Sequence, residues 1–301
     1  MRAPNNPDGQ TREKATDLET VLPPVSKLIE NSHSILNYVD LDGRDQKLDY
    51  RELAAQDPYP IPMPVDREGY GSVETSNQFW ATGYGDWLNV KEAMRRFDVS
   101  SENGKLFDFG CASGRFLRHV ATFSELESQG CDFAPANVAW VQKYLPDNIS
   151  VTLNTSRPDL PFGDGEFDVV TAFSVFTHID QGEEDWLAEL TRITKPNGIL
   201  YLTIQNEAAW EKVNHRPGAL EHLSRANLIE GNLKVSNETF DGPMPQDKIV
   251  FRMSDQDVYS CNVWHTNEYV LRNWSKHIEV LQIASCGHTG YQSPVIAKPK
   301  K

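Results

Sequence analysis

The stretch that decides the fold is Leu106-Phe107-Asp108-Phe109-Gly110-Cys111-Ala112-Ser113-Gly114-Arg115. Its apolar first half predicts a short strand over 105–109, and its small residues predict a turn over 110–114. A helix is predicted next, because apolar residues recur there at helical spacing, at Phe116, Leu117, Val120 and Phe123. Glycine lets the backbone approach a ligand closely, and the first N–H groups of a helix are available to an anion. We therefore expect a ligand site at this turn.

Strand and helix patterns alternate on the carboxyl-terminal side of this turn. Further strands are predicted to end at Asp132 and to cover 149–153, 167–173, 199–204, 278–284 and 293–297. This alternation is typical of a doubly wound α/β fold, here a seven-stranded sheet with helices on both faces. The loop before the last strand is short, which predicts that this strand is antiparallel to its neighbour.

The helix predicted at about 182–194 has recognisable end signals. Asp180 and Glu183 resemble a capping box at its start. The sequence Lys-Pro-Asn-Gly at 195–198 is predicted to be the turn that ends the helix before the fifth strand.

The remaining sequence divides into an N-terminal segment and an insertion. Residues 1–100 are predicted to form a helical and extended lid, and residues 101–301 the main domain, with a cap insertion at about 206–263. Within the lid, Val25, Leu28, Ile29 and Ile35 predict a short helix, and 86–97 predicts another. Prolines at 58, 60, 62 and 64 predict an extended strap over 55–66.

Composition excludes several classes of protein. The 301 residues include 43 acidic and 29 basic side chains, a net charge of −14, which argues against broad binding to nucleic acid phosphates. No run approaches the ~18 apolar residues of a membrane span. The cysteines form no C-x-x-C pair, so neither a metal site nor a disulfide framework is expected, and a cytoplasmic location is favoured.

Two common ligands of a glycine turn can be weighed against the sequence. A dinucleotide fingerprint starting at Gly110 needs glycine at 112 and 115, where the chain has Ala112 and Arg115, and no Walker-type G-K-[ST] is present. The turn instead resembles motif I of class I S-adenosylmethionine-dependent methyltransferases, acidic-x-G-x-G-x-G. Asp108, Gly110 and Gly114 match this motif, and Ala112 replaces the central glycine.

Later segments resemble the same family in the same order. They are Gly130-Cys131-Asp132, Leu160-Pro161-Phe162, Phe167-Asp168-Val169-Val170 and the stretch from Trp186 to Gly198. The resemblance implies S-adenosylmethionine as cofactor, with Asp132 accepting hydrogen bonds from both ribose hydroxyls. Ligands of doubly wound sheets lie beyond the carboxyl ends of the strands. The implied cofactor-binding residues are Asp108, Gly110, Cys111, Ala112, Gly114, Asp132, Phe133, Ser174 and Val175.

The implied reaction is attack on the sulfonium methyl group in line with the breaking bond. The protein must align the acceptor and exclude water. A general base is needed only when the acceptor proton is tightly held, as in an alcohol or phenol. His178 is the best candidate for that base, while His33, His265 and His288 are weaker options.

The acceptor is the least determined part of the prediction. A polar and aromatic pocket is expected from Tyr70, Trp80, Tyr84, Gln205, Asn206, His265 and Tyr291. Such a lining suits a small polar molecule, a sugar or a secondary-metabolite intermediate, with no nucleic acid or membrane partner. The N-terminal 50 residues and the cap insertion offer contacts for a homodimer. Methylation of RNA or protein, and a cofactor-binding module without turnover, are the alternatives.

Overall fold

The structure, a computed structural model, describes residues 21–30, 33–67, 75–100, 102–215, 228–229, 240–252, 261–285 and 287–300. Tyr70 lies outside the described residues, as do residues 253–260 of the cap insertion. Within the described part of the chain, no helix is long and apolar enough to cross a membrane.

In its described residues, the N-terminal segment has two short α-helices, a hairpin and a long α-helix. These elements are α1 (Val25–Leu28), β1 (Ile35–Val39), β2 (Asp45–Asp49), α2 (Arg51–Ala54) and α3 (Ser76–Arg96). The helix predicted through Ile35 was wrong beyond α1, because Ile35 pairs with Asp49 in an antiparallel hairpin. The helix predicted from 86 begins at Ser76. Gly83 and Gly85 weaken the local helical signal, and burial of the aromatic side chains around them overrides it.

The main domain and the cap insertion follow in chain order. Their elements are β3 (Lys105–Phe109), α4 (Leu117–Phe123), β4 (Glu127–Asp132), α5 (Pro135–Tyr144), β5 (Ile149–Leu153), β6 (Phe167–Ala172), α6 (Glu183–Ile193), β7 (Thr194–Ile204), α7 (Glu207–Trp210), β8 (Leu228–Ile229), β9 (Lys248–Arg252), β10 (Cys261–His265), α8 (Asn267–Asn273), β11 (Ile278–Ile283) and β12 (Ser293–Pro299).

One seven-stranded sheet organises the main domain, in the order β11-β12-β7-β6-β3-β4-β5. β3 lies between β4 and β6 and is parallel to both, whereas β12 is antiparallel to β7 and to β11. The predicted fold is therefore confirmed, including the antiparallel last strand. The chain reverses its winding direction at β3, so the carboxyl ends of β3, β4 and β6 meet where a doubly wound sheet binds its ligands.

Two apolar layers cover the sheet, one on each face. Leu106 packs in the layer that contains α3, α4 and α5, whereas its neighbour Phe107 packs in the layer that contains α6 and α8. Alternate residues of β3 thus point to opposite faces, which is why this strand is almost wholly buried.

The turn predicted at 195–198 is instead an irregularity inside β7. Thr194 pairs with Phe167 and Ile199 pairs with Val169, so the residues between them bulge out of the ladder. A Cβ at Gly198 would lie 2.6 Å from the carbonyl oxygen of Asp168, so the close approach of two backbones explains the glycine.

The cap insertion has a separate small sheet. β9 pairs antiparallel with β8 and with β10. Its apolar cluster contains Trp210, Phe240, Phe251 and Trp264. An isolated bridge between Gln205 and Trp264 joins this sheet to the end of β7.

Candidate functional site

The turn after β3 is held in a shape that few residues adopt. Gly110, Ala112 and Gly114 all have positive φ, at +76°, +47° and +77°. A Cβ at Gly110 would lie 2.6 Å from Val175 Cγ2, and one at Gly114 would lie 2.4 Å from Leu145 Cδ1. Glycine is required at both positions because neighbouring side chains fill the space. Ala112 accepts a left-handed conformation that costs an L-residue about 1–2 kcal/mol.

Asp132 joins this turn to the end of β4. Its Oδ2 accepts the Ala112 N–H at 2.9 Å, and its Oδ1 accepts the Ala134 N–H at 2.8 Å and the Asn137 amide at 3.1 Å. The carbonyl oxygen of Cys131 accepts the N–H groups of Gly110 and Cys111, both at 2.9 Å. The carboxylate is therefore fixed in direction by the protein at the meeting point of two turns.

Asp108 is the other acid of the motif, and its surroundings differ. It is 2% exposed, and its Oδ1 accepts the Thr171 hydroxyl at 2.7 Å. Burial raises the pKa of Asp108 to about 7, although the Thr171 hydrogen bond and the Arg115 charge act in the opposite direction. Asp108 thus lies beneath the turn as an acid that ionises near neutral pH, and a cationic group nearby would favour its charged form.

Two apolar side chains are exposed beside Asp132. Phe133 is 45% exposed and Leu153, which pairs with Asp132 in the sheet, is 55% exposed. A fixed carboxylate beside an apolar surface and a tight backbone turn suits a nucleoside, because it offers an acceptor for the ribose diol and contact area for the base. The residues present therefore fit the predicted cofactor.

The loop after β6 completes the predicted site. Ser174 has φ of +58°, and its N–H donates to Thr203 Oγ1 at 2.8 Å. Val175 packs against Gly110. The structure thus brings together Gly110–Gly114, Asp132, Ser174 and Val175, which the sequence places far apart.

His178 follows this loop and contacts the cap insertion. Its Nδ1 lies 2.8 Å from the carbonyl oxygen of Cys261 in β10, so Nδ1 carries the proton of that hydrogen bond. The side chain is half-buried.

Two predicted acceptor residues lie in the core instead. Trp80 is fully buried, with Tyr50 and Tyr84 stacked on it at centroid distances of 5.3 Å each, and its Nε1 donates to Asp57 at 2.8 Å. Tyr84 is 7% exposed. We correct the expectation for these two, since neighbouring rings already cover the faces an acceptor would use. An aromatic run on a helix is equally typical of core, and the sequence alone does not separate the two.

Four other predicted acceptor residues lie near the junction of β7 and the cap insertion. Asn206 bonds to Asn267 and Ser293, and His265 Nε2 lies 3.0 Å from Glu183 Oε2. Tyr291 packs edge-on to Trp264, with centroids 6.0 Å apart. Gln205 Oε1 is buried and has no hydrogen-bond partner within the described residues. Of this group, Gln205 and Tyr291 are the better candidates to face an acceptor.

A buried charged cluster behind the site was not predicted. Asp86 Oδ1 lies 2.8 Å from His288 Nδ1, and Asp86 Oδ2 lies 2.6 Å from Arg115 Nη2. Burial would raise the pKa of Asp86, but the charges of His288 and Arg115 hold it below its ordinary value. One sequence signal could have indicated this cluster. Asp86 lies beside Trp87 and Val90 on the apolar face of α3, and a buried acid needs a partner for its charge.

Comparison with known proteins agrees with this geometry. Residues 107–202 match a family model described as a methyltransferase domain. Norajmaline N-methyltransferase from Rauvolfia serpentina is 26% identical over 116 residues, which cover 36% of this chain and 39% of that protein. The chain therefore aligns with about two fifths of that curated relative's length.

A solved structure of low sequence identity shares the fold. The PH0226 protein from Pyrococcus horikoshii OT3 superposes with a TM-score of 0.52 and 17% identity, covering 79% of this chain and 96% of that chain. A SAM-dependent methyltransferase from Methanosarcina mazei gives a TM-score of 0.48 and 16% identity, covering 68% and 96% of the two chains.

Proposed function

We propose that this chain, whose residues 107–202 form a class I S-adenosylmethionine-dependent methyltransferase domain, transfers a methyl group to a small polar acceptor. The acceptor class includes sugars and secondary-metabolite intermediates. The observation that carries the cofactor part of the proposal is Asp132, a carboxylate that three protein donors fix at the meeting point of the β3 and β4 turns.

Each part of the proposed cofactor site has a separate task. Asp132 would accept the ribose hydroxyls, and Phe133 with Leu153 would cover the base. The turn over 110–114 would place backbone against the amino acid part of the cofactor. When bound, S-adenosylmethionine supplies an electrophilic methyl group on a sulfonium. The protein then has to orient the acceptor in line with that methyl group and exclude water from it.

A small acceptor is supported by charge and by the lining of the proposed pocket. The net charge of −14 disfavours nucleic acid, which needs clustered lysine and arginine. Gln205 and Tyr291, near the junction of β7 and the cap insertion, offer a buried acceptor atom and an aromatic ring. A curated relative is named as an N-methyltransferase of norajmaline, a small molecule.

Calorimetric titration of S-adenosylhomocysteine into the parent protein and the variant Asp132→Asn tests the cofactor site. Loss of a charged acceptor for two hydroxyls is expected to weaken binding about 10- to 100-fold. Asp168→Asn is the matched control, because Asp168 bonds to Lys195 and to the Lys105 N–H at the amino end of β6, away from the turn. Its affinity is expected to equal that of the parent.

A second variant separates binding from folding. Phe133→Ala removes an exposed side chain, so the melting temperature is expected to stay near that of the parent while cofactor affinity falls. Absence of binding by the parent protein would contradict the proposal. Turnover is then measured as S-adenosylhomocysteine formed with a panel of small acceptors, RNA and protein. Transfer only to RNA or protein would favour the corresponding alternative.

A further inference from the structure

A continuous hydrogen-bonded chain runs from the loop after β6 to helix α3. Ser174 Oγ lies 3.4 Å from His288 Nε2, and His288 Nδ1 lies 2.8 Å from Asp86 Oδ1. Arg115 contacts the other oxygen of Asp86. The three linked residues come from three different elements: the β6 loop, the loop between β11 and β12, and α3.

The partners determine the direction of each hydrogen bond. Asp86, paired with Arg115, is an acceptor, so His288 Nδ1 carries a proton and donates it to Asp86. His288 Nε2 then offers a lone pair to the Ser174 hydroxyl. The Gln292 amide donates to Ser174 Oγ at 2.7 Å, and the Thr203 hydroxyl donates to the Gln292 oxygen at 2.7 Å. Ser174 is thereby left to donate its proton toward His288.

The position of the chain relates it to the proposed cofactor site. Val175, the residue after Ser174, packs on Gly110 of the turn. His288 and Asp86 are buried, whereas Ser174 is half-buried at the carboxyl edge of the sheet. Ser174 also retains a left-handed φ of +58°, a conformation that a non-glycine residue keeps only where its surroundings enforce it. A proton could enter this chain through Ser174.

We propose that Ser174, His288 and Asp86 form a proton relay that takes the hydroxyl proton of an alcohol or phenol acceptor during methyl transfer. This proposal rests on the proposed function and narrows its acceptor to oxygen. Neutral amines, thioethers and carboxylates can accept a methyl group without a base. A proton relay beside the site is needed only when the acceptor proton is tightly held, as in an alcohol or phenol.

Protons and electrons balance in this step. The new C–O bond forms at the acceptor oxygen while the C–S bond of the sulfonium breaks and leaves its electron pair on sulfur. The acceptor proton passes to Ser174 Oγ as the Ser174 proton passes to His288 Nε2. Asp86 stabilises the resulting imidazolium, which releases its proton to solvent after the product leaves. Ser174 and His288 are the catalytic residues of this scheme, and Asp86 is a positioning residue.

Several groups set the electrostatics around His288. Asp86 from α3 and Arg115 from the turn are the charged neighbours. Asp108 interacts electrostatically with both of them, and Tyr201 from β7 interacts with Asp86. The Phe173 ring lies 5.2 Å from the imidazole, centroid to centroid.

The first experiment needs no acceptor. Nitrogen-15 NMR of histidine-labelled protein with S-adenosylhomocysteine bound reports which ring nitrogen of His288 carries the proton at neutral pH. The relay predicts a proton on Nδ1 and a lone pair on Nε2, with the Nε2 resonance shifted in Ser174→Ala. A proton on Nε2 at neutral pH would overturn the relay.

The second experiment compares matched acceptors that differ only in O–H and N–H, such as phenol and aniline pairs. With the hydroxyl member, His288→Gln is expected to lower kcat about 100-fold or more, whereas the rate with the amine member should change little. Cofactor affinity should stay unchanged. His277→Gln is the control for the substitution, because His277 lies before β11 and away from the site. Ser174→Ala gives a smaller loss and serves if His288→Gln does not fold.

The outcomes separate the relay from the proposed function. Methyl transfer to oxygen at parental rate in His288→Gln, transfer only to the amine members, or loss of rate in His178→Gln but not in His288→Gln would each overturn the relay. The proposed function would stand in all three cases. If the parent transfers no methyl group to any acceptor, the proposed function fails, and the NMR result still decides the tautomer.

Discussion

The N-terminal segment and the cap insertion are each joined to the main domain through a buried carboxylate. In the N-terminal joint the carboxylate belongs to the segment, whereas in the cap joint it belongs to the main domain. In the N-terminal joint, Asp57 of the segment accepts from Arg118 of α4 at 2.7 and 2.9 Å, with both side chains fully buried. In the cap joint, Glu183 of α6 accepts from Lys248 of β9 at 2.6 Å and from His265 of β10 at 3.0 Å.

The two joints differ in how many directional hydrogen bonds hold each part of the chain to the main domain. The Arg118 guanidinium also donates to the carbonyl oxygens of Tyr59 and Pro60, so one planar group fixes the proline strap by several directional bonds. At Glu183 the cap insertion contributes single contacts from a lysine and a histidine, and the Trp274 N–H that also donates to Glu183, at 2.6 Å, belongs to the main domain. Other contacts of the cap insertion are also single ones, such as the Val263 N–H that donates to the Thr177 carbonyl oxygen at 2.7 Å. We therefore expect the N-terminal segment to behave as part of the domain and the cap insertion to open separately.

Breaking the N-terminal joint is expected to have the largest effect. Asp57→Ala leaves a buried guanidinium without its counter-charge, which costs about 3–5 kcal/mol of unfolding free energy. Chemical denaturation measures this, with Glu30→Ala as the control because that carboxylate makes an exposed pair with Lys27. If Asp57→Ala lowers the unfolding free energy no more than Glu30→Ala does, the buried pair does not hold the N-terminal segment as argued.

The matching change in the cap joint is expected to act locally. Glu183→Gln keeps the size of the side chain and removes its charge, at a cost of about 2 kcal/mol. Asp180, 3.7 Å from Lys248, still offers that lysine a counter-charge. Hydrogen exchange should become faster in β9 and β10 while β3 and β4 stay protected. Uniform acceleration across the sheet would show that the cap insertion does not open separately.

Low pH should also accelerate hydrogen exchange in β9 and β10 of the parent protein. Burial would raise the pKa of Glu183, but His265 and Lys248 lower it from 4.5 to about 2. Because the folded value lies below the unfolded one, this contribution is complete above pH 4.5 and is lost as pH falls toward 2. Hydrogen exchange in β9 and β10, corrected for intrinsic rates, should accelerate over that range, and Glu183→Gln should abolish the pH dependence.

The smallest expected effect concerns a single hydrogen bond of the N-terminal joint. Trp80→Phe keeps an aromatic ring in the stack but removes the N–H that donates to Asp57 and leaves a small cavity, so the unfolding free energy should fall by about 1–2 kcal/mol. The KM for any acceptor should not change, since Trp80 is covered by its neighbours. A raised KM with unchanged stability would restore Trp80 to the acceptor pocket.

The sequence predicted the parts of the molecule whose signals are local. The strands from β3 onward have buried apolar runs, and Asp132 directly follows such a run, so its place at the sheet edge could be inferred. The β1–β2 hairpin was missed because both strands are short, β2 is largely polar, and Ile35 of β1 continued the apolar pattern of the helix before it. The capping box predicted at Asp180 and Glu183 was wrong, since Gly182 occupies the N-cap and both carboxylates bind side chains of the cap insertion.

The part of the site that could not be predicted depends on distant contacts. Asp86 and His288 are 202 positions apart, and neither flanking sequence contains a pattern that pairs them. Only the packing of α3 against the sheet brings the two side chains together. Residues that contact one another across a fold leave no periodic signal, whereas a strand or a glycine turn does.

The place of β12 between β7 and β11 has a consequence for biosynthesis. Ser293 pairs with Ile204, so the inner edge of β7 stays unpaired until residues 293–299 leave the ribosome. At ordinary rates of translation this interval is roughly 5–18 s. During that time the inner edge of β7 presents unpaired backbone N–H and C=O groups, so pairing with the edge of another chain is a hazard of the nascent state.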